Sequence, residues 1–272
     1  MGVVNVTPDS FSDGGLYLEP EAAAAHGERL AAEGAHVLDV GGESTRPAGS
    51  AYGEGARPVS EEEELERVVP VLERLSAADT GARLSVDTMK AGVARAAIAA
   101  GASIVNDVSA FRFSEEMAGV VADSGVDCCL MHMLGEPRTM QKDPRYDDVV
   151  SEVKAFLEER VGFAVDQGVE EERIWVDPGI GFGKTVEHNL ELVDRLAEIA
   201  ELGRPVAIGT SRKSFLGALT GRPEGDRLPG TIASNVLAFE RGASIFRVHD
   251  VAPVADALAV AAATVARQAP TP

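Results

Sequence analysis

Gly34-Ala35-His36-Val37-Leu38-Asp39 returns as Gly101-Ala102-Ser103-Ile104-Val105-Asn106 and again as Gly242-Ala243-Ser244-Ile245-Phe246-Arg247. Each copy follows an Ala- or Leu-rich helical stretch. Each opens with a glycine able to end that helix, then climbs through apolar residues to a polar one. One helix-to-strand unit is being used repeatedly.

Outward from these copies, further short apolar runs read as strands: 3–6, 84–86, 128–131, 174–176 and 206–208 join 37–40, 104–106 and 245–248. Helices lie between them. Leu65, Val68, Val69, Leu72 and Leu75 share one helical face, after Ser60 and Glu63 at capping-box spacing. Val149, Val153, Phe156, Leu157 and Ala164 form a second stripe. Val186, Leu190, Val193, Leu196 and Ala200 form a third. Apolar strands alternating with helices imply a parallel sheet covered by those helices. A doubly wound open sheet would alternate in the same way. Eight units in 272 residues, with no compositional break, favour a closed (β/α)8 TIM barrel occupying 1–272 as a single domain.

Acidic residues number 44 against 25 basic, a formal net charge of −19. Such a chain repels nucleic-acid phosphates and anionic lipid at long range, so neither is an expected partner. No run approaches the roughly 20 apolar residues of a membrane span, and no secretory signal pattern is visible at the N-terminus. The two cysteines, Cys128 and Cys129, are strand neighbours facing opposite ways and poorly placed to bridge. Buried, inert thiols in a reducing cytoplasm are the expectation.

In such a barrel, active sites form at the C-terminal strand ends. Here those positions are Asn5, Asp39, Asp87, Asn106 with Asp107, His132, Asp177, Ser211-Arg212-Lys213, and Arg247 with His249. Asp39 and Asp107 read equally well as turn or cap residues, and His132 reads as structural. Carboxylates and amides end the early strands, whereas Lys213, Arg247 and His249 end the last two, where barrels of this kind often bind phosphate. Lys213 and Arg247 could otherwise be structural ion-pair partners. Asp87, Asn106 and Asp177 can pair with a flat heterocycle rich in N–H groups and ring nitrogens.

Two long loops, 7–19 and 41–59, are expected to be mobile and to cover the barrel mouth. Asp177-Pro-Gly-Ile-Gly-Phe-Gly-Lys184-Thr185 nearly matches a phosphate-binding P-loop, but Pro178 stands where the first glycine belongs. It reads instead as a glycine-rich barrel loop that lets a ligand approach closely.

At MGVVNVTPDSFSDGG (1–15), GGESTRP (41–47), SVDT (85–88), ND (106–107), MHM (131–133), DPGIGFGK (177–184), SRKSFLG (211–217) and RVHD (247–250) the chain resembles the dihydropteroate synthases. The resemblance implies condensation of 6-hydroxymethyl-7,8-dihydropterin pyrophosphate with p-aminobenzoate, by loss of pyrophosphate and then attack by the amine. It implies Mg2+ held with help from Asn5, and pyrophosphate held by Asn5, Thr45, Arg46, Arg247 and His249. It implies a pterin pocket of Asp87, Asn106, Asp177 and Lys213. Asp9, Phe11, Pro47 and Ser214 would face p-aminobenzoate, the position where sulfonamides compete. Catalysis would fall to Lys213, Arg247, His249, Asp87 and Asp177. A homodimer is implied too, with the apolar face of the last helix available to a partner. The rival readings are a pterin-binding paralogue without synthase activity and a methyltetrahydrofolate-binding methyltransferase domain, which would need no pyrophosphate site.

Overall fold

A computed structural model describes residues 1–7, 19–46 and 55–266. The predicted alternation is present throughout them. Strands β1 (Gly2–Asn5), β2 (Val37–Gly41), β3 (Arg83–Asp87), β4 (Ile104–Asp107), β5 (Asp127–Met131), β6 (Ile174–Asp177), β7 (Val206–Ile208) and β8 (Ala243–Phe246) form one sheet in chain order, every neighbouring pair parallel. The intervening helices are α1 (Pro20–Ala32), α2 (Glu61–Ala78), α3 (Ala91–Ala99), α4 (Met117–Ser124), α5 (Val149–Asp166), α6 (Val186–Asp194), α7 (Leu196–Ala200), α8 (Ser214–Thr220) and α9 (Leu228–Glu240). The chain then continues into α10 (Val251–Ala266).

The first strand meets the segment just past the last one through backbone groups. The Val3 N–H donates to the Val248 carbonyl at 3.1 Å, and the Val248 N–H donates to Met1 at 2.9 Å. Gly2 and Val248 make an isolated parallel bridge. The eighth strand ends at Phe246, two residues before its predicted end, so this bridge lies beyond it.

Strand alternation divides the sheet's residues between two cores. Leu38, Val40, Val86, Val105, Cys128, Leu130 and Ile174 face the helices. Val37, Ile104, Cys129, Trp175 and Ala207 pack together on the other face, with Met1 and Ile245 against them. The two thiols are free, buried and on opposite faces, as expected. Burial pushes both well above the usual thiol range, which suits inert packing. Two residues farther along the same strands, the inward face becomes polar: Asp39, Asn106, Asp177 and Arg247. An apolar plug therefore supports a polar floor.

Two helix expectations need correction. Ser60 caps α2 by accepting the Glu63 N–H at 3.1 Å, but the reciprocal half of the capping box is absent. The Glu63 carboxylate is engaged by Arg57 and Arg67 instead. The stripe from Val186 to Ala200 is two helices, broken at Arg195. Its guanidinium draws Glu191, Glu198 and Asp148 around the break, and Leu190 is left largely exposed. Among the described residues, no helix is long and apolar enough to cross a membrane.

Candidate active site

One cavity of about 450 Å³ opens at the C-terminal strand ends. Asn5, Thr45, Arg46, Asp87, Asn106, Asp177, Lys213, Ser214, Arg247 and His249 all line it. Asp9, Phe11 and Pro47 lie outside the described residues, as do positions 8–18 and 47–54 of the two loops.

Arg247 anchors the floor. Its Nε donates to Asp39 Oδ2 at 2.6 Å, and a terminal nitrogen donates to Asp87 Oδ2 at 2.8 Å. Burial works against its charge, and the two carboxylates more than offset that, holding its pKa above the usual arginine value. So Arg247 is an ion-pair partner as well as a wall of the cavity. Asp39 is fully buried and also accepts from Ser85 Oγ at 2.6 Å and Asn106 Nδ2 at 3.1 Å. It therefore orients two cavity residues without lining the cavity itself. Sequence reasoning left Asp39 undecided between site and turn, and cross-strand register decides it. Asp107 takes the bland reading, accepting from Ser109 and Phe111 to fold its own turn.

Burial shifts both cavity carboxyl groups upward. Burial raises Asp87 to about 7, with Arg247 opposing and Asp39 adding to the rise. Burial likewise raises Asp177, against the pull of Lys213 and the Gly179 N–H. Two acids with pKa values displaced in one cavity mark a functional site. Across from them, burial brings Lys213 down to about 8 while Asp177 opposes. The Lys213 ammonium donates to the Ile180 carbonyl and lies 4.6 Å from the Phe182 ring centre. Phe182, Met131 and Met140 give the cavity an apolar wall that the polar motifs did not foretell.

His249 departs from expectation. Burial, then Arg212, Arg247 and Lys213, hold its pKa well below the usual histidine value. That shift favours the neutral imidazole over a third cation. Arg46 contributes a guanidinium whose buried Nε has no hydrogen-bond partner among the described residues. Glu43 is a cavity residue the sequence reading missed. It accepts the Val59 N–H at 3.2 Å and pairs with Lys90, which also holds the fully buried Glu64. That knot ties the start of the second loop to α2 and to the start of α3.

The glycine-rich loop gives closeness of another kind than expected. Gly179, Gly181 and Gly183 all have left-handed φ, between 68° and 82°. A Cβ on Gly179 would lie 1.9 Å from the His132 carbonyl oxygen, and one on Gly183 would lie 2.5 Å from Leu134 Cβ. The glycines thus let this loop press against the segment after β5, while Gly181 abuts Lys213. Lys184, at the P-loop lysine's position, is buried, with its ammonium 2.8 Å from His132 Nδ1. That contact fits the structural reading of His132, whose pKa burial and Lys184 lower to about 2. Gly179→Ala should cost more than about 2 kcal/mol in chemical denaturation, because steric clash adds to the left-handed penalty. Gly81→Ala, also left-handed but with open space around it, should cost about 1 kcal/mol. Equal costs would show that the loop yields freely.

The sequence profile of the pterin binding enzymes matches residues 1–249. The dihydropteroate synthase of Escherichia coli (strain K12) is 44% identical over 265 residues, which cover 97% of this chain and 90% of that one.

The chain belongs to the pterin binding enzyme family, among the dihydropteroate synthases.

Solved family structures share the fold. The Yersinia pestis dihydropteroate synthase in complex with a sulfonamide drug superposes with a TM-score of 0.92 at 41% identity, covering 98% of this chain and 94% of that one. The Xanthomonas albilineans family member in complex with 7,8-dihydropteroate gives 0.84 at 48% identity, with 99% and 94% covered.

Proposed function

We infer that this chain is a dihydropteroate synthase, joining 6-hydroxymethyl-7,8-dihydropterin pyrophosphate to p-aminobenzoate and releasing 7,8-dihydropteroate and pyrophosphate. The observation that carries this reading is the set of groups gathered in one cavity. Asp87, Asn106 and Asp177 stand near an apolar wall suited to a flat heterocycle, while Arg46, Lys213 and Arg247 gather positive charge in a chain of net charge −19.

In the proposed reaction the C–O bond at the pterin methylene breaks first and its electron pair leaves with pyrophosphate. The aryl amine then bonds to the methylene carbon and loses a proton. Arg247 and Arg46 stabilise the charge that accumulates on the leaving group, and Lys213 lies between pterin and pyrophosphate, the arrangement by which preorganised charge lowers a barrier. Asp87, Asp177 and Asn106 orient the pterin through its N–H and ring-nitrogen groups. Ser214, at the start of α8, is the described residue we assign to p-aminobenzoate, the position at which sulfonamides would compete.

Mg2+ is proposed as the cofactor. Asn5 lines the cavity and offers a carboxamide oxygen, a hard donor of the kind Mg2+ takes sparingly beside phosphate oxygens and water. When bound, the ion supplies charge neutralisation at the pyrophosphate.

We further propose that the sheet closes into a barrel forming one domain, supported by the Gly2–Val248 bridge. A homodimer through α9 and α10 is supported by Leu237, Val260 and Val265, which are 43%, 68% and 62% exposed. The cytoplasm is the proposed location, in keeping with two unpaired thiols.

Equilibrium titration tests the reading against its methyl-folate rival. Inorganic pyrophosphate with Mg2+ should bind the protein, and Arg247→Met should weaken that binding at least tenfold, the loss of about one charged hydrogen bond. A protein that binds pterin but no pyrophosphate would be a pterin barrel of another kind.

A further inference from the structure

Ser211 and His249 meet in the cavity wall, with Ser211 Oγ 2.9 Å from His249 Nδ1. The same Oγ accepts the peptide N–H of His249 at 3.2 Å. A serine hydroxyl holds one proton and two lone pairs. The peptide N–H occupies one lone pair, and Ser211 is only 5% exposed. Among the described residues, His249 Nδ1 is the one hydrogen-bond acceptor within reach of its proton. A buried hydroxyl left without an acceptor would be costly.

The pairing is held from both sides. Arg212 follows Ser211 with a left-handed φ of 58°. Its guanidinium makes a two-pronged bond to Asp250, the residue after His249, at 3.0 and 2.6 Å. Arg212 N–H donates to Thr231 Oγ1 at 3.1 Å, and Arg227 donates to the Arg212 carbonyl at 2.8 Å. Ser211 with His249, and Arg212 with Asp250, thus form a two-rung staple between the segments that follow β7 and β8. An uncommon backbone conformation fixed at so many points belongs to a site that depends on its geometry.

We propose that Ser211 is a positioning residue that fixes His249 as the Nε2–H tautomer, so that the ring presents a proton donor to an anionic oxygen in the cavity. Ser211 Oγ–H donates to Nδ1, and the proton stays on Nε2, the nitrogen with no hydrogen-bond partner among the described residues. The opposite tautomer would turn a lone pair toward the same oxygen and repel it. In its neutral form the ring contributes through its orientation of donor and acceptor. The oxygen's identity as pyrophosphate rests on the synthase reading; the tautomer does not.

Long-range 1H–15N correlation of protein carrying 15N-histidine reads the tautomer directly, with His249→Gln assigning the signal. At neutral pH the wild type should show a protonated Nε2 and a pyridine-like Nδ1. Ser211→Ala should shift both nitrogens toward averaged values, and Ser211→Thr should restore the wild-type pattern. In turnover, Ser211→Ala should lower kcat/KM about 10–100-fold, the range for loss of a group orienting a working ligand, and Ser211→Thr should recover most of it. An Nδ1–H ring or an imidazolium in the wild type would overturn the proposal. So would a spectrum unchanged by Ser211→Ala. If Ser211→Ala fails to fold, the wild-type and Ser211→Thr spectra still decide. If no turnover is found in any variant, the synthase reading fails while the spectra still judge the tautomer.

Discussion

Arg247→Met is expected to lose about 3–5 kcal/mol of folding stability, the cost of removing one partner from a buried ion pair. It should also lower kcat/KM by at least about 10²–10³-fold, the loss typical of one preorganised donor to a developing anion. Both effects follow from one guanidinium with two duties. Inward, it neutralises Asp39, which has no exposure at all, and Asp87 beside it. Outward, it faces the cavity.

The stability loss should depend on pH. Asp87 has a folded-state pKa raised to about 7, and Arg247 is the influence restraining that rise. An acid whose pKa is raised by folding is favoured while protonated, so its contribution fades as pH climbs through the folded value. Removing Arg247 raises that value further. The variant's deficit should therefore be larger at pH 8 than at pH 5 in urea denaturation. Equal deficits at the two pH values would mean that Asp87 does not depend on Arg247.

Lys213→Met should lower kcat on the order of 10³-fold, with a smaller effect on stability. Its ammonium is held by a backbone carbonyl and an aromatic face, with Asp177 nearby as the opposing charge. Burial has already lowered its pKa to about 8. If the cation is the working form, wild-type kcat/KM should fall as pH rises through about 8, because that profile reports the free enzyme. Lys213→Arg keeps the charge, so its alkaline fall should move to higher pH even if its rate is reduced. An unmoved alkaline limb in Lys213→Arg would assign the fall to another group.

Much of this site was legible because a strand repeats every two residues. The inward apolar residues Val37, Ile104, Trp175 and Ile245 are each followed, two positions on, by Asp39, Asn106, Asp177 and Arg247. Position along the strand therefore places the polar residues at one end of the sheet from sequence alone. What remained hidden depends on register and burial. The bonds from Arg247 and Asn106 to Asp39 connect the residue after β8, and strand β4, to β2, and no local pattern encodes them. His249 reads as a cation by residue type, and loss of water followed by the surrounding cations pushes its pKa down instead. The apolar wall was missed because Met131, Met140 and Phe182 look like ordinary core residues in sequence. Arg195 broke an apparently continuous helical stripe through ion pairs that its spacing did not announce.

The synthase assignment is tested most directly by turnover. Purified protein would be mixed with 6-hydroxymethyl-7,8-dihydropterin pyrophosphate, p-aminobenzoate and Mg2+, and 7,8-dihydropteroate and pyrophosphate measured together over time. Equal amounts of the two products, formed only when both substrates and Mg2+ are present and nearly abolished in Lys213→Met, are the predicted result. Pterin binding without either product in the wild-type protein would contradict it and leave a pterin-binding protein with no synthase activity.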